Sequence, residues 1–262
     1  MDIEIRNPWH PDDAKHYTTD RMRNDFLIQD LFIPDKVKLV YSHVDRIIVG
    51  GVCPSEKVLT LEAGHELGVD YFLERREMGV INIGGKGTMT LDGVKYDFDY
   101  KDGIYIGMGT KEVIFESADA ANPAKFYFNS APAHKTYPTV FINPEKDILP
   151  ENKKELGCLE NANHRTIRKY ILPGQVESCQ LEMGMTALEP GSVWNTMPCH
   201  THDRRMEVYL YFEVPENDVV FHYMGEPTQT RHIVMRNEEA VISPSWSIHS
   251  ASATHAYTFI WG

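Results

Sequence analysis

The sequence predicts an all-β protein made of two barrels in tandem, preceded by a short helical segment. Short segments rich in β-branched and aromatic residues follow one another and are separated by Gly- and Asp-containing turns, as in sandwiches and barrels. A polar, proline-rich stretch over residues 129–165 interrupts this rhythm. The two halves echo each other faintly, since residues 73–77 and 202–207 share an Arg-Arg pair ahead of a strand.

These features predict a division of the chain into four parts. A length of 262 residues is enough for two domains of the usual size, about 100–150 residues each. We expect an N-terminal arm over residues 1–35, a first barrel over 36–130, a connector over 131–164 and a second barrel over 165–262.

The N-terminal arm contains one predicted helix. Thr19 or Asp20 can cap a helix over residues 21–27, and Pro34 closes the segment. We expect this segment to lie on a barrel as an arm or cap and to stay out of the core.

The first barrel is predicted from strands that end at glycine or aspartate turns. Its expected strands cover 38–51 (one strand, or two joined by a turn at Asp45), 58–61, 79–83, 88–91, 95–100, 104–106, 113–115 and 124–128. The glycines at 84–87 resemble a phosphate-binding loop, but neither a helix nor a Gly-Lys-Ser/Thr sequence follows, so we interpret them as a hairpin turn.

The second barrel is predicted by the same pattern after the connector. Its expected strands cover 165–172, 179–188, 207–212, 219–224, 231–235, 240–242 and 256–261. Between two of them lies the part of the chain with the strongest chemical pattern.

Three histidines and a glutamate form a candidate metal site in the second barrel. On a strand, His200 and His202 would share a face, because residues two apart point the same way. Glu207 follows after an odd number of residues, so a turn or bulge must restore its direction. With His249, the set offers three imidazoles and one carboxylate, which suit zinc, iron, manganese or nickel.

Each of these residues taken alone has a simpler interpretation. A His-x-His pair occurs by chance on solvated strands, and His249 can be a satisfied core histidine. The four together favour a metal site. In the first half, Tyr71 and Leu73 stand where His200 and His202 stand in the second, so we expect no ligands in the first barrel.

Composition argues against several classes of protein. A net charge of −12 opposes binding to a nucleic-acid backbone or an anionic membrane. The sequence lacks an apolar stretch long enough to span a bilayer, and the N-terminus lacks the apolar run of a signal peptide. From these two absences we expect a cytoplasmic protein with reduced thiols. The four cysteines form no CxxC pair, which argues against a thiolate zinc site. We interpret Cys199, beside His200, as a packed neutral thiol.

Several blocks of the chain resemble the 5-keto-4-deoxyuronate isomerase family of the cupin superfamily, from about residue 20 to the C-terminus. They cover 41–51, 71–77, 125–127, 131–134, 195–202, 204–209 and 242–250. The resemblance implies a bicupin fold of two jelly-roll barrels and a homohexamer. It also implies one Zn²⁺ per subunit on His200, His202, Glu207 and His249, and a role in degrading unsaturated uronates from pectin.

The implied reaction is an aldose–ketose isomerisation that converts 5-dehydro-4-deoxy-D-glucuronate to 3-deoxy-D-glycero-2,5-hexodiulosonate. A divalent metal can polarise the carbonyl. Either a base then carries a proton between the neighbouring carbons or a hydride shifts, and for the first route Glu207 and Tyr209 are the candidate bases. The substrate carboxylate needs a cation, for which arginine is well suited. The candidates for this cation are Arg165, Lys169, Arg204 and Arg205.

Two alternatives remain at this point. An iron-dependent cupin dioxygenase would consume oxygen and fail with zinc, whereas an isomerase works without oxygen. A sugar-binding cupin without activity would show no turnover of a uronate substrate.

Overall fold

The computed structural model describes residues 2–262 and consists mainly of β-strands. Within that range there are two α-helices and 22 strands, which confirms the predicted all-β class. The helices are α1 (Pro11–Ala14) and α2 (Thr19–Phe26). Helix α2 was predicted, but its cap is one residue earlier, because the side chain of Thr18 accepts the amide of Arg21.

Strands β1 to β12 lie between Asp2 and Ile142. These strands are β1 (Asp2–Arg6), β2 (Leu27–Ile28), β3 (Val37–Ser42), β4 (Ile48–Val52), β5 (Leu59–Thr60), β6 (Arg76–Asn82), β7 (Gly87–Leu91), β8 (Val94–Phe98), β9 (Gly103–Ile106), β10 (Val113–Ser117), β11 (Phe126–Pro132) and β12 (Val140–Ile142).

The remaining strands follow from the proline-rich stretch onward. They are β13 (Lys153–Leu156), β14 (Arg165–Ile171), β15 (Met183–Leu188), β16 (Trp194–Asn195), β17 (Glu207–Phe212), β18 (Val220–Glu226), β19 (Gln229–Met235), β20 (Glu239–Ser243), β21 (Ser250–Ala253) and β22 (Thr258–Trp261).

The chain forms two compact units, and neither is continuous in sequence. The first unit comprises Met1–Arg6, Leu31–Leu149 and Lys169–Met183, and the second comprises Asn7–Asp30, Pro150–Arg168 and Gly184–Gly262. The segments expected as arm and connector therefore contribute residues to both units. The proline-rich stretch also contains two strands, β12 and β13, that its composition did not predict.

The first unit is a barrel of two sheets. A seven-stranded sheet runs β1-β3-β4-β11-β6-β9-β12, and a four-stranded sheet runs β5-β10-β7-β8. Alternate residues of both sheets point inward, such as Met78 and Val80 on β6 and Met89 on β7, and they form one buried apolar cluster. Residues 84–87 connect β6 to β7, and these two strands lie in different sheets and do not pair with each other. The predicted hairpin turn at this position is therefore wrong.

The second unit repeats the arrangement of β3 to β11 in its own β14 to β22, whereas the edge strands differ. Its sheets run β13-β14-β15-β22-β17-β20-β2 and β16-β21-β18-β19. One detail fixes the correspondence. The ring of Phe128 covers Gly50 in the first unit, and the ring of Trp261 covers Gly184 in the second, and neither glycine has room for a Cβ. The predicted pair of barrels is therefore confirmed.

Candidate metal centre

The candidate ligands sit at one end of the second barrel, on two loops and the start of a strand. His200 and His202 lie in the loop between β16 and β17, so our placement of them on a strand was wrong. Glu207 is the first residue of β17, and His249 ends the loop between β20 and β21. The amide of His202 donates to the carbonyl of Ser245 over 3.2 Å, which ties the two loops together.

The four side chains converge on one point. Ligand nitrogens of His200, His202 and His249 all lie within 4.8 Å of one another. Glu207 places Oε1 2.8 Å from Nε2 of His202 and Oε2 3.6 Å from Nε2 of His249. Ligand atoms around a tetrahedral zinc ion are about 3.3 Å apart, given its bond lengths of about 2.0–2.1 Å. The set therefore fits one divalent cation after small side-chain shifts.

Burial increases across the ligand set and leaves one side open. The His249 side chain is 4% exposed and that of His202 is 22% exposed, while His200 lies at the surface. Burial and the neighbouring imidazoles of His200 and His202 lower the pKa of His249 to about 3. His249 is therefore neutral near pH 7, which is the form of histidine that binds metals.

Tyr209 lies directly behind the ligands on β17. It is buried two residues after Glu207 on the same strand, so both side chains point to the same side of the sheet. Burial, with the nearby charge of Glu207, raises the pKa of Tyr209 well above its usual value. The two candidate catalytic residues therefore act on each other electrostatically.

The interior of the second barrel continues with hydrogen-bonded polar side chains. His222, fully buried on β18, joins the hydroxyl of Tyr211 (2.8 Å) to Oγ of Ser243 (3.1 Å). The hydroxyl of Tyr257 donates to Oδ1 of Asn195 over 2.6 Å. From the sequence alone, His222 is interpreted as a structural or an exposed histidine. The structure shows that it is buried, and its alternation with the inward-facing Val220 and Met224 is the sequence signal for that.

The four candidate substrate cations occupy different places. Arg165 begins β14, and its charge acts on the hydroxyl of Tyr257 by opposing the rise in pKa that burial causes there. Arg205 holds Nη2 3.7 Å from Oε1 of Glu207. Arg204 is exposed. Lys169 belongs to the first unit, whereas the three candidate ligand histidines belong to the second.

The first barrel has apolar residues at the corresponding positions. With Gly50 matched to Gly184, the strand register places Met78 at the position of Glu207 and aligns the two Arg-Arg pairs. Leu73 and Met78 are both buried in the apolar cluster of that barrel. Within residues 2–262, a group of three or more suitable metal-binding side chains occurs only at His200, His202 and His249.

Our interpretation of Cys199 was wrong. The residue lies in the same exposed loop as His200 and is itself exposed, so it is not packed in the core. The strand expected there would have turned it inward, and the loop does not.

A family model describes most of this chain. The KduI/IolB family model matches residues 27–262. The chain belongs to the KduI/IolB family. Two similar proteins are both named 4-deoxy-L-threo-5-hexosulose-uronate ketol-isomerase. The one from Lachnospira eligens is 70% identical over 99% of this chain and 93% of its own length, and the one from Lachnoclostridium phytofermentans is 68% identical over the same shares.

Such identity makes this KduI/IolB-family protein an enzyme, an intramolecular oxidoreductase of the ketol-isomerase type. Solved structures agree on the bicupin fold. An IolB-like protein from Salmonella typhimurium LT2 superposes with a TM-score of 0.63 at 13% identity, over 82% of each chain. Oxalate decarboxylase from Bacillus subtilis, described with Mn(II) centres, superposes with a TM-score of 0.50 at 9% identity, over 82% of this chain and 68% of its own.

Between residues 2 and 262, this KduI/IolB-family protein has no helix with the length and apolar character needed to cross a membrane.

Proposed function

We propose that this protein is a zinc-dependent isomerase that converts 5-dehydro-4-deoxy-D-glucuronate to 3-deoxy-D-glycero-2,5-hexodiulosonate. The observation that carries the proposal is the convergence of three imidazoles and the Glu207 carboxylate at one end of the second barrel. The chain that bears this cluster is 70% identical to a protein named as a ketol-isomerase of a hexosulose uronate.

The ligand set prepares the site for a substrate carbonyl. His200, His202, Glu207 and His249 would hold a divalent cation, which would supply a Lewis acid for the substrate carbonyl. The exposed side at His200 gives the substrate access to this point, while the buried side at His249 excludes water from behind.

Isomerisation leaves the composition of the sugar unchanged. A proton leaves the carbon that carries the hydroxyl and joins the former carbonyl carbon, and the hydroxyl proton passes to the other oxygen. We assign these transfers to Glu207 and Tyr209, because Glu207 lies in the ligand cluster and Tyr209 follows it on the same face of β17.

The substrate carboxylate needs a cation at the same end of the barrel. Arg165 and Arg205 are the best placed candidates, because each acts on a side chain of the interior, Tyr257 and Glu207 respectively. Either guanidinium can bind a carboxylate through two parallel hydrogen bonds. Arg204 and Lys169 remain secondary candidates.

The cellular setting belongs to the same proposal. We propose a cytoplasmic homohexamer that acts in the breakdown of uronates from pectin, supported by the resemblance of the chain to uronate isomerases. Light scattering coupled to size-exclusion chromatography tests the hexamer directly.

The experiment that tests the function has two steps. Metal analysis of the purified protein should find about one zinc per chain. An anaerobic NMR assay should then show conversion of the deoxy-hexosulose uronate to the ketose, with loss of activity in a chelator and recovery with zinc. A protein that binds no divalent metal, or that turns over its substrate only with oxygen, would refute the proposal.

A further inference from the structure

The N-terminal segment over residues 7–30 belongs to the unit that holds the candidate metal ligands. Strand β2 in this segment pairs with β20, with Leu27 opposite Val241 and Ile28 opposite Ala240. Strand β20 leads directly into the loop over residues 244–249, which ends at His249. The segment therefore borders the loop that carries the most buried ligand.

An aromatic contact joins the segment to that loop. Phe26, at the end of α2, is fully buried and meets the ring of Trp246 edge-on, with 6.3 Å between ring centroids. Trp9 packs on the other side of Phe26 at 4.6 Å. Edge-to-face contacts of this kind fix the relative orientation of two rings.

The loop is tied to the rest of the barrel by backbone hydrogen bonds. The amide of Ile248 donates to the carbonyl of Gly225 over 2.9 Å, and the amide of Gly225 donates to Oγ of Ser247 over 2.9 Å. The carbonyl of Ser245 accepts the amide of His202. A shift of this loop would therefore move His249 and His202 together.

A guanidinium attaches the segment to the hairpin that holds the loop. Arg231 on β19 donates to the carbonyls of Lys15 at 3.1 Å and Tyr17 at 2.5 Å. Arg231 lies opposite Met224 on β18, next to Gly225. The N-terminal segment thus contacts the ligand loop through Phe26 and the hairpin behind it through Arg231.

We propose that the N-terminal segment positions the metal ligands, with Phe26 and Trp246 as the positioning residues that hold His249 and His202 in binding geometry. This inference rests on the proposed metal centre. Residues outside the ligand set that orient ligands typically change metal affinity 10–100-fold when they are altered. Phe26 and Trp246 lie outside the ligand set, so an effect through His249 and His202 must appear in metal binding itself.

The test measures metal affinity without substrate. Zinc affinity of the apoprotein is measured by competition with a chromophoric chelator, and ligand geometry is followed by the visible absorption of bound Co²⁺. Three variants alter the contacts between the segment and the rest of the unit: Phe26→Leu, Trp246→Phe and Arg231→Gln. Phe221→Leu is the matched control, because Phe221 is an aromatic residue of the same unit that faces His232 and not the ligand loop.

We expect each of the three variants to lower zinc affinity about tenfold or more and to change the Co²⁺ spectrum, while Phe221→Leu keeps the affinity of the parent. Circular dichroism identifies a temperature at which all apoproteins are folded, and Trp246→Phe is the mildest change if Phe26→Leu does not fold. Unchanged affinity in the folded variants, or an equal fall in Phe221→Leu, overturns the inference. A parent protein without metal affinity refutes the proposed function and this inference together.

Discussion

Oε1 of Glu207 lies 2.8 Å from Nε2 of His202, although one residue begins a strand and the other lies in the preceding loop. Two such groups approach this closely when they share a proton or a cation. The charge of the same carboxylate helps burial to raise the pKa of Tyr209, so Glu207 acts on both the ligand cluster and the interior of the barrel.

Replacing the carboxylate tests its role as a metal ligand. In Glu207→Gln the amide keeps the shape of the side chain but loses the negative charge that a divalent cation needs. We expect zinc affinity to fall at least about 100-fold, the upper range for changes outside the ligand set, and activity to fall with it. Glu216→Gln, which alters an exposed carboxylate of the same unit, should bind zinc like the parent. Full zinc occupancy in Glu207→Gln would remove Glu207 from the ligand set.

Tyr209→Phe tests the role of the hydroxyl in proton transfer. Residues that transfer protons typically contribute 10²–10⁴-fold to the rate, so we expect kcat to fall about 100-fold or more, with KM and zinc content close to those of the parent. The control Tyr127→Phe removes a comparably buried hydroxyl in the first unit, one that accepts a hydrogen bond from Asn129. This variant should have the kcat of the parent. A normal kcat in Tyr209→Phe would leave Glu207 as the proton carrier.

The strands and the ligands were predictable from sequence for local reasons. Alternation of apolar residues with period two identified strands such as β8 and β17. Of the two predictions for residues 38–51, the one with two strands joined by a turn at Asp45 is correct, and Asp45 and Arg46 have positive φ in that turn. The spacing of His200, His202, Glu207 and His249 was informative without knowledge of the backbone between them.

Contacts between distant parts of the chain were not predictable in this way. The loop at His200 and His202 was taken for a strand because a His-x-His pair satisfies strand alternation equally well. Nothing within residues 7–30 indicates that Phe26 packs on Trp246, since that contact depends on how β2 pairs with β20. The polar interior around His222 was missed for the same reason, because each of its hydrogen bonds joins residues on different strands or positions far apart in the sequence.

Substrate binding by Arg165 predicts a specific kinetic pattern. If its guanidinium holds the carboxylate of the substrate equally in the ground state and the transition state, Arg165→Ala should raise KM about tenfold or more with little change in kcat. Arg205→Ala should lower zinc affinity as well if its contact with Glu207 orients that ligand. The control is Arg236→Ala, which removes an exposed guanidinium that donates to the carbonyl of Asp218. It should leave KM and zinc affinity unchanged. An unchanged KM would exclude Arg165.

The buried carboxylate of Glu77 should stabilise the folded first unit. Its fully buried carboxylate accepts the amides of Cys179, Gln180 and Leu181, each at 2.7 Å, and the hydroxyl of Tyr105 at 2.8 Å. In Glu77→Gln the charge is lost and an amide NH₂ faces backbone donors, so the free energy of unfolding should fall by about 2–4 kcal/mol. Urea denaturation measures the change. Glu112→Gln, at an exposed position, should change it by less than about 0.5 kcal/mol, and equal stability of the two variants would contradict this role for Glu77.

The buried imidazole of His222 should make the apoprotein sensitive to acid. Burial lowers its pKa from the usual 6.5 to about 3, so between these values the unfolded chain binds a proton at His222 that the folded chain does not. Lowering the pH therefore favours unfolding, and this residue should contribute a loss of about 1.4 kcal/mol per pH unit between about pH 5.5 and 4. His222→Asn should reduce the slope of unfolding free energy against pH by about that amount, measured by urea denaturation of metal-free protein. His232→Asn replaces an exposed imidazole of the same unit, and it should keep the slope of the parent. Equal slopes in the parent and His222→Asn would mean that His222 takes up its proton without unfolding.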